Sequence, residues 1–234
     1  MNFAKRRRLP ELMDNPGLSR ELHFRALAGL SRLNGWSGSV RIIWRAIRSL
    51  QRDGNPASLR ILDVATGAGD IPIGLWRHAL RSGMTVEIDA CDISPVALEY
   101  ARRKSGEHGA GIRFFECDAL MLDCVMEYDV VISSLFLHHL TEDQATKLLR
   151  VMSLAARRMV LVNDLVRSSA GYALARAATR VLTSSRVVHV DGPRSVESAF
   201  TSREALRLAK RAGLIGAGVV QKWPCRFLLT WVRQ

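Results

Sequence analysis

Cysteine is scarce in this chain. Cys91, Cys117, Cys124 and Cys225 are widely scattered, without a C-x-x-C pair or a Cys/His cluster. That spacing suggests neither a zinc site nor a disulfide framework, and no metal is expected. Reduced thiols in a cytoplasmic protein are the simplest reading. Long apolar runs are missing too: no stretch approaches the roughly 20 apolar residues that span a bilayer. The opening "MNFAKRRRLPELMD" has basic residues with no apolar run behind them, so no secretory signal is expected. Internal repeats and low-complexity segments are absent. Acids are few beside bases: 22 Asp and Glu against 34 Lys and Arg give a net charge of +12. Such a balance suits nucleic acid, an anionic membrane, an acidic substrate or simply a solvated exterior. Aromatics are sparse at 6%, and Trp36, Trp44, Trp76, Trp223 and Trp231 do not interleave with basic residues as a base-stacking platform would. Nucleic acid is therefore not the expected partner.

What is present is apolar patterning. With 48% of 234 residues apolar, the chain is long enough for one α/β domain with a full core. Strand candidates fall at 60–65, 85–91, 112–116, 128–133 and 158–163, with helix candidates at 71–82, 95–105 and 142–156. This alternation implies parallel strands with helices on both faces. A helix at 202–212 follows, then strands near 215–222 and 226–232, joined at "WPCR" as an antiparallel edge hairpin.

Two helical patterns, 21–33 and 40–52, precede the sheet. Val40, Ile43, Ile47 and Leu50 share one face of the second, while Arg41, Arg45, Arg48 and Arg52 occupy another. We expect residues 1–55 to form an N-terminal helical cap, with "DGNPAS" (53–58) as the linker into a domain over 56–234. A second addition at about 165–199 contains a helix at 169–183 and a loop, "VHVDGPRS", in which Asp191-Gly192-Pro193 has turn chemistry. His189, Asp191 and Arg194 of that loop are candidate substrate contacts. "KRRR" (5–8) and the arginine face of 40–52 are candidate contacts with anionic lipid.

The stretch "RILDVATGAGDIPIGLW" (60–76) reads as a buried strand, a small-residue turn and a helix. A nucleoside triphosphate would call for G-x-x-x-x-G-K-[ST], which is absent; a dinucleotide would call for G-x-G-x-x-G, and the third position here is Pro72. Asp63 lies in the strand and Asp70 at the helix mouth, where a carboxylate repels a pyrophosphate and favours a cation. Asp92 ends the second strand, while Ser94 and Pro95 supply the next helix start, so Asp92 is free to accept from a ribose diol. Asp118 follows the third strand, placed to accept from an adenine amino group, with the Ala119 amide beside the ring. These acids share one carboxyl edge, where α/β sheets bind ligands.

"ILDVATGAGDIP…ACDIS…ECDAL…DVVISSLFLHHL" resembles the class I S-adenosylmethionine-dependent methyltransferases over residues 60–164. "LDVATGAGDI" is similar to the ubiquinone and menaquinone C-methyltransferases. The resemblance implies a Rossmann-like, mostly parallel sheet and S-adenosylmethionine as cofactor, with Asp63, Ala65, Gly67, Gly69, Asp92, Ile93, Asp118, Ala119 and Ser134 as cofactor residues. Ala65 is a departure, since many members have glycine there.

Ser133 and Ser134 end the fourth strand. His138 and His139 follow in the loop before a helix capped by Thr141. A histidine can deprotonate a phenol or sugar hydroxyl near neutral pH. Asp164, at the end of the fifth strand, can orient a histidine or share base duty. The pair plus an acid resembles small-molecule O-methyltransferases, whereas the quinone enzymes typically carry an Arg-Asn pair in this loop. The expected function is O-methylation of a phenolic or polyketide-like secondary metabolite, with His138, His139 and Asp164 catalytic. The alternatives are C-methylation of a quinone precursor, a basic RNA-binding or RNA-modifying protein, and a catalytically idle cofactor-binding fold.

Overall fold

The computed structural model describes residues 3–15, 17–50, 58–123 and 125–234. Cys124 and most of the expected linker, 53–57, lie outside them, as do Gln51 and Arg52. Seven strands form one sheet in the order β3-β2-β1-β4-β5-β7-β6. The strands are β1 (Ser58–Val64), β2 (Thr85–Asp92), β3 (Ile112–Glu116), β4 (Tyr128–Ser134), β5 (Ala156–Leu165), β6 (Gly218–Lys222) and β7 (Arg226–Val232). The first five are mutually parallel; β7 runs antiparallel to β5, and β6 antiparallel to β7 at the edge. The mostly parallel, Rossmann-like sheet with an antiparallel hairpin is therefore as expected, although β7 sits inside the sheet and β6 alone of the hairpin forms an edge, opposite β3.

Period-two alternation explains why both faces are covered. In β4, Val130 and Ile132 face one core while Val131 faces the other; β5 splits Met159 and Leu161 from Val160 and Val162 in the same way. One face receives α2 (Ser39–Ser49), α3 (Asp70–Ser82) and α4 (Pro95–Glu107); the other receives α5 (Glu142–Ala155) and α8 (Ser202–Arg211). Helix starts follow the local chemistry. Ser94 accepts from the Ala97 amide with Pro95 in the first turn, and Thr141/Gln144 and Thr201/Glu204 form capping boxes.

The two N-terminal helices part company. In α2, Ile43 and Ile47 are wholly buried against the sheet while Arg41, Arg45 and Arg48 stay exposed. Each such isoleucine is worth about 1.5–3 kcal/mol relative to exposure, so α2 belongs to the sheet core. Helix α1 (Arg20–Ser37) instead packs on α4, α6 (Ser169–Leu182) and α7 (Arg186–Ser198), beyond the carboxyl edge.

Helix α7 corrects the expected loop. It runs straight through Asp191-Gly192-Pro193. The Ser185 hydroxyl caps it by accepting from Val188. A Cβ on Gly192 would come within 2.6 Å of Thr179 Cγ2, so this glycine lets α7 lie close on α6. Burial of Val187, Val188 and Val196 overrides the turn preference of the tripeptide.

Candidate active site

The sheet order reverses between β1 and β4, and the acids and histidines singled out above gather at the carboxyl ends there. After β1 the backbone turns through Ala65, Gly67 and Gly69, all in the left-handed region at φ 57°, 52° and 72°. Gly69 is required for packing as well: a Cβ there would meet the Ala101 Cβ at 2.9 Å. At Gly67 a Cβ would meet nothing within 4 Å, so the turn presents bare backbone to open space. Gly69, not Asp70, caps α3.

Acids crowd this turn. Asp63 is buried; its Oδ2 accepts from the Thr66 hydroxyl at 2.6 Å, and its Oδ1 has no partner. Burial, with Asp70 and Asp92 nearby, pushes its carboxyl up to about 7. Asp70 is likewise raised, to about 6, chiefly by burial; Asn34 hydrogen-bonds one oxygen and the other is unpaired. Asp92 accepts from the Gly67 amide at 2.8 Å and the Ser94 amide at 2.9 Å, tying β2 to the glycine turn. Burial raises its pKa although both amides oppose this. Unpaired buried carboxylate oxygens are costly unless a donor or a cation meets them.

Farther along, Ile93 is 64% exposed at the rim. Asp118 accepts from the Leu120 amide at 2.9 Å and so shapes the short turn that buries Ala119. The Ser134 hydroxyl accepts from Asn163 at 3.0 Å. The expected cofactor residues other than Gly69 line one cavity of about 700 Å³, together with Asp70, His138 and His139.

The β4–β5 side carries the histidines. His138 Nδ1 lies 2.7 Å from Asp164 Oδ1, and the His138 amide donates to Asp164 Oδ2 at 3.1 Å. Both side chains are buried, at 4% and 2% exposure. Burial alone would raise the Asp164 pKa, but the facing imidazole and the Leu165 and His138 amides hold it below the usual range. His139 lies beside His138 with the rings tilted by 33° and their centroids 4.4 Å apart. Burial would lower its pKa, yet Asp14, Glu11 and Asp164 carry it to about 9.

A segment that sequence reasoning left aside completes this end. Arg6 donates to the carbonyls of His138 and Leu140 at 2.8 Å each and lies over the Phe200 ring. Burial lowers its pKa to about 10. It is an internal tie, whatever the rest of "KRRR" faces. Glu11 and Asp14 follow: Glu11 lies 3.7 Å from His138 Nε2 and 3.8 Å from His139 Nε2, and Asp14 is 3.3 Å from His139 Nδ1. Asp191 fixes the segment by accepting from the Leu12 and Met13 amides at 2.8 and 3.0 Å. His189 meets the Thr183 carbonyl and Arg194 the Pro10 carbonyl. These three residues of α7 therefore brace the wall, and Gly192, Ser195 and Val196 are the α7 residues that line the cavity. Buried Arg226 adds a further unexpected tie, donating to Ser39 Oγ and Asn34 Oδ1.

Residues 61–158 match the family model described as a methyltransferase domain. The chain is 38% identical over 93 residues to the demethylmenaquinone methyltransferase of Thermus thermophilus, a stretch covering 40% of this chain and 39% of that protein. The matched stretch thus spans well under half the length of this curated relative. Among solved structures, the magnesium protoporphyrin IX methyltransferase of Synechocystis PCC 6803, with bound S-adenosylhomocysteine, superposes at a TM-score of 0.59 and 17% identity, covering 95% of this chain and 91% of that one. The C-methyltransferase domain of the citrinin polyketide synthase gives 0.63 at 13% identity, over 82% of this chain and 51% of that one. These two likenesses are of fold. The family match lies over the strands that build the acid-lined turn: residues 61–158 carry a methyltransferase domain, on a fold shared with methyltransferases whose structures hold S-adenosylmethionine or S-adenosylhomocysteine, and these findings support S-adenosylmethionine as the cofactor.

Proposed function

We propose that the chain transfers the methyl group of S-adenosylmethionine to an oxygen of a small, largely apolar acceptor, of phenolic or polyketide-like type. The observation that carries this reading is the buried His138–Asp164 pair, whose imidazole lines the same cavity as the acid-lined glycine turn. In it, the turn amides receive the carboxylate of the cofactor, Asp63 and nearby carbonyls its ammonium and sulfonium, Asp92 the ribose diol, and Asp118 with Ala119 the adenine. Ile93 packs on the adenine, and Ser134 stands at the methionine end.

The acceptor then lies between the histidines and the apolar wall of α1 and α6, which includes Leu27, Leu30 and Leu174. Asp164 accepts from Nδ1–H and leaves Nε2 as the basic nitrogen of His138. That nitrogen takes the hydroxyl proton as oxygen attacks the methyl carbon in line and sulfur leaves with the bonding pair. Holding the two reactants in line supplies much of the acceleration, and a placed base adds about 10²–10⁴-fold. On this reading the N-terminal segment, α1 and the 165–199 addition close over the acceptor and exclude water, and His139 assists His138.

A second reading, methylation at carbon of a quinone precursor, is favoured by the likeness to the demethylmenaquinone methyltransferase. Incubating the full chain with methyl-labelled cofactor and a panel of phenols, polyketide-like hydroxy-aromatics and quinols separates the two. A labelled methyl ether identified by NMR is the expected product. A labelled C-methyl product would replace the first reading with the second, and tight cofactor binding without any product would indicate an idle fold.

A further inference from the structure

Three groups face one another at the acceptor end of the cavity. Glu11, His138 and His139 bring one ligand atom each to within 4.8 Å of the others. Glu11 and His138 are nearly buried, at 10% and 4% exposure, and His139 is 25% exposed, so the cluster is largely shielded from bulk water. We propose that Glu11, His138 and His139 bind a divalent transition-metal ion of the zinc type, with the ion's open position facing the acceptor.

Donor chemistry fits: two imidazoles and a carboxylate, with one position left open, is the ligand set of a catalytic zinc site. So does geometry. Both Nε2 atoms point to Glu11, at 3.7 Å from Oε1 and 3.8 Å from Oε2. A tetrahedral ion with bonds of about 2.0–2.2 Å holds its ligand atoms roughly 3.3 Å apart, so the two Glu11–histidine pairs need to close by a few tenths of an ångström, and no pair among the three, all within 4.8 Å, by more than about 1.5 Å.

The groups behind the ligands are the more telling feature. A metal-binding imidazole needs its other nitrogen oriented, most often by a carboxylate. Here each histidine has one: His138 Nδ1 lies 2.7 Å from Asp164, and His139 Nδ1 lies 3.3 Å from Asp14. Glu11 is itself held, with the Ser195 hydroxyl donating to Oε1 at 2.5 Å. Asp191 anchors the turn just after Glu11 through two backbone amides. Three carboxylates around two imidazoles also leave a surplus of negative charge that a divalent ion would neutralise.

The inference rests on the proposed function only in placing the acceptor at this end of the cavity. In the loaded protein the acceptor oxygen would bind the ion, which would acidify its hydroxyl, and the proton would leave to solvent as the acceptor enters, before the site closes. The oxygen lone pair then forms the O–C bond as the C–S bond breaks, and sulfur keeps that bonding pair. His138 is then a ligand, and the ion replaces it as the group that activates the hydroxyl.

The test uses the untagged full chain, freed of metal by chelator dialysis and titrated with cobalt(II). Saturable visible ligand-field bands at one ion per chain, displaced by zinc, are expected. Asp14→Asn should weaken binding about 10–100-fold, since it removes only the outer carboxylate. Glu11→Gln and His139→Ala should weaken it more. Binding of S-adenosylhomocysteine, followed by calorimetry, reports whether each variant is folded. Should a variant fail to fold, zinc-edge X-ray absorption of the parent chain decides: two imidazoles at about 2.0–2.1 Å support the site, and sulfur ligation overturns it. Absence of saturable cobalt binding, or equal affinity in the parent and in folded Glu11→Gln, also overturns it. Metal binding without methyl transfer on any acceptor would remove the proposed function and leave this site standing; transfer without binding would do the reverse.

Discussion

The two halves of the carboxyl edge are built by different rules. Around β1 and β2 the chemistry comes from one turn and the strand beside it: Asp92 reaches Gly67 and Ser94, and Asp63 reaches Thr66. Around β4 and β5 it comes from pieces far apart in the chain. Arg6 holds the carbonyls of His138 and Leu140, Glu11 faces both histidines, and Asp191 anchors the residues after Glu11. The first half is a local motif and can be shared by many chains that bind one cofactor. The second is a tertiary assembly, and assembly of that kind is where acceptor choice can vary without disturbing the first.

Asp164→Asn should expose that division most strongly. The amide keeps the shape of the carboxylate but presents a donor to His138 Nδ1, so the ring is left in the wrong tautomer or orientation. Turnover should fall about 10²–10⁴-fold, while affinity for S-adenosylmethionine stays within a few-fold. Steady-state kinetics and calorimetry on the same preparation check both. A cofactor affinity that fell as far as turnover would mean the halves are one unit.

A smaller effect should mark the cofactor half, and it is one of pH. Burial raises the Asp63 carboxyl from 3.8 to about 7, with Asp70 and Asp92 adding to it and the Thr66 hydroxyl opposing. Asp70 rises to about 6. Between about pH 4 and 7 the folded chain therefore holds protons that the unfolded chain has released. Their contribution to stability falls as pH rises through that window and levels off above it. A bound sulfonium or ammonium reverses the preference, because it favours the ionised acid. Affinity for S-adenosylmethionine should thus climb from pH 5.5 to about 7 and then flatten. Asp63→Asn should bind more weakly and lose most of the slope. Calorimetry across that range is the check, and an unchanged slope in the variant would take Asp63 out of the cofactor site.

The same division explains what could be read in the sequence. Asp63, Asp92 and Asp118 announce themselves because each lies at or just beside the end of a strand, and strand ends in a parallel sheet share one edge. His138 and Asp164 are legible for the same reason. Glu11 and Asp14 are not: more than 120 residues separate them from the histidines, and a lone acid in "RRRLPELMD" carries no periodic signal. Arg6 looks like one of a solvated run until the Phe200 ring and three carbonyls are found beneath it. Asp191-Gly192-Pro193 misleads in the opposite sense. Its local preference is a turn, and burial of Val187, Val188 and Val196 with the close fit of Gly192 on Thr179 makes a helix the better use of the segment.

The smallest predicted effect lies at the departure from the family pattern. Ala65 sits at φ 57°, where its Cβ crowds the following carbonyl at a cost of roughly 1–2 kcal/mol. Glycine removes that strain but loses more freedom on folding, about 0.4–1 kcal/mol. Ala65→Gly should therefore stabilise the chain by no more than about 1.5 kcal/mol and leave cofactor affinity and turnover nearly unchanged, because the turn amides keep their places. Urea unfolding at constant pH measures the first and calorimetry the second. A destabilised variant would mean that the Ala65 methyl packs to better effect than its backbone suffers, and that the turn tolerates alanine through its neighbours and not in spite of its geometry.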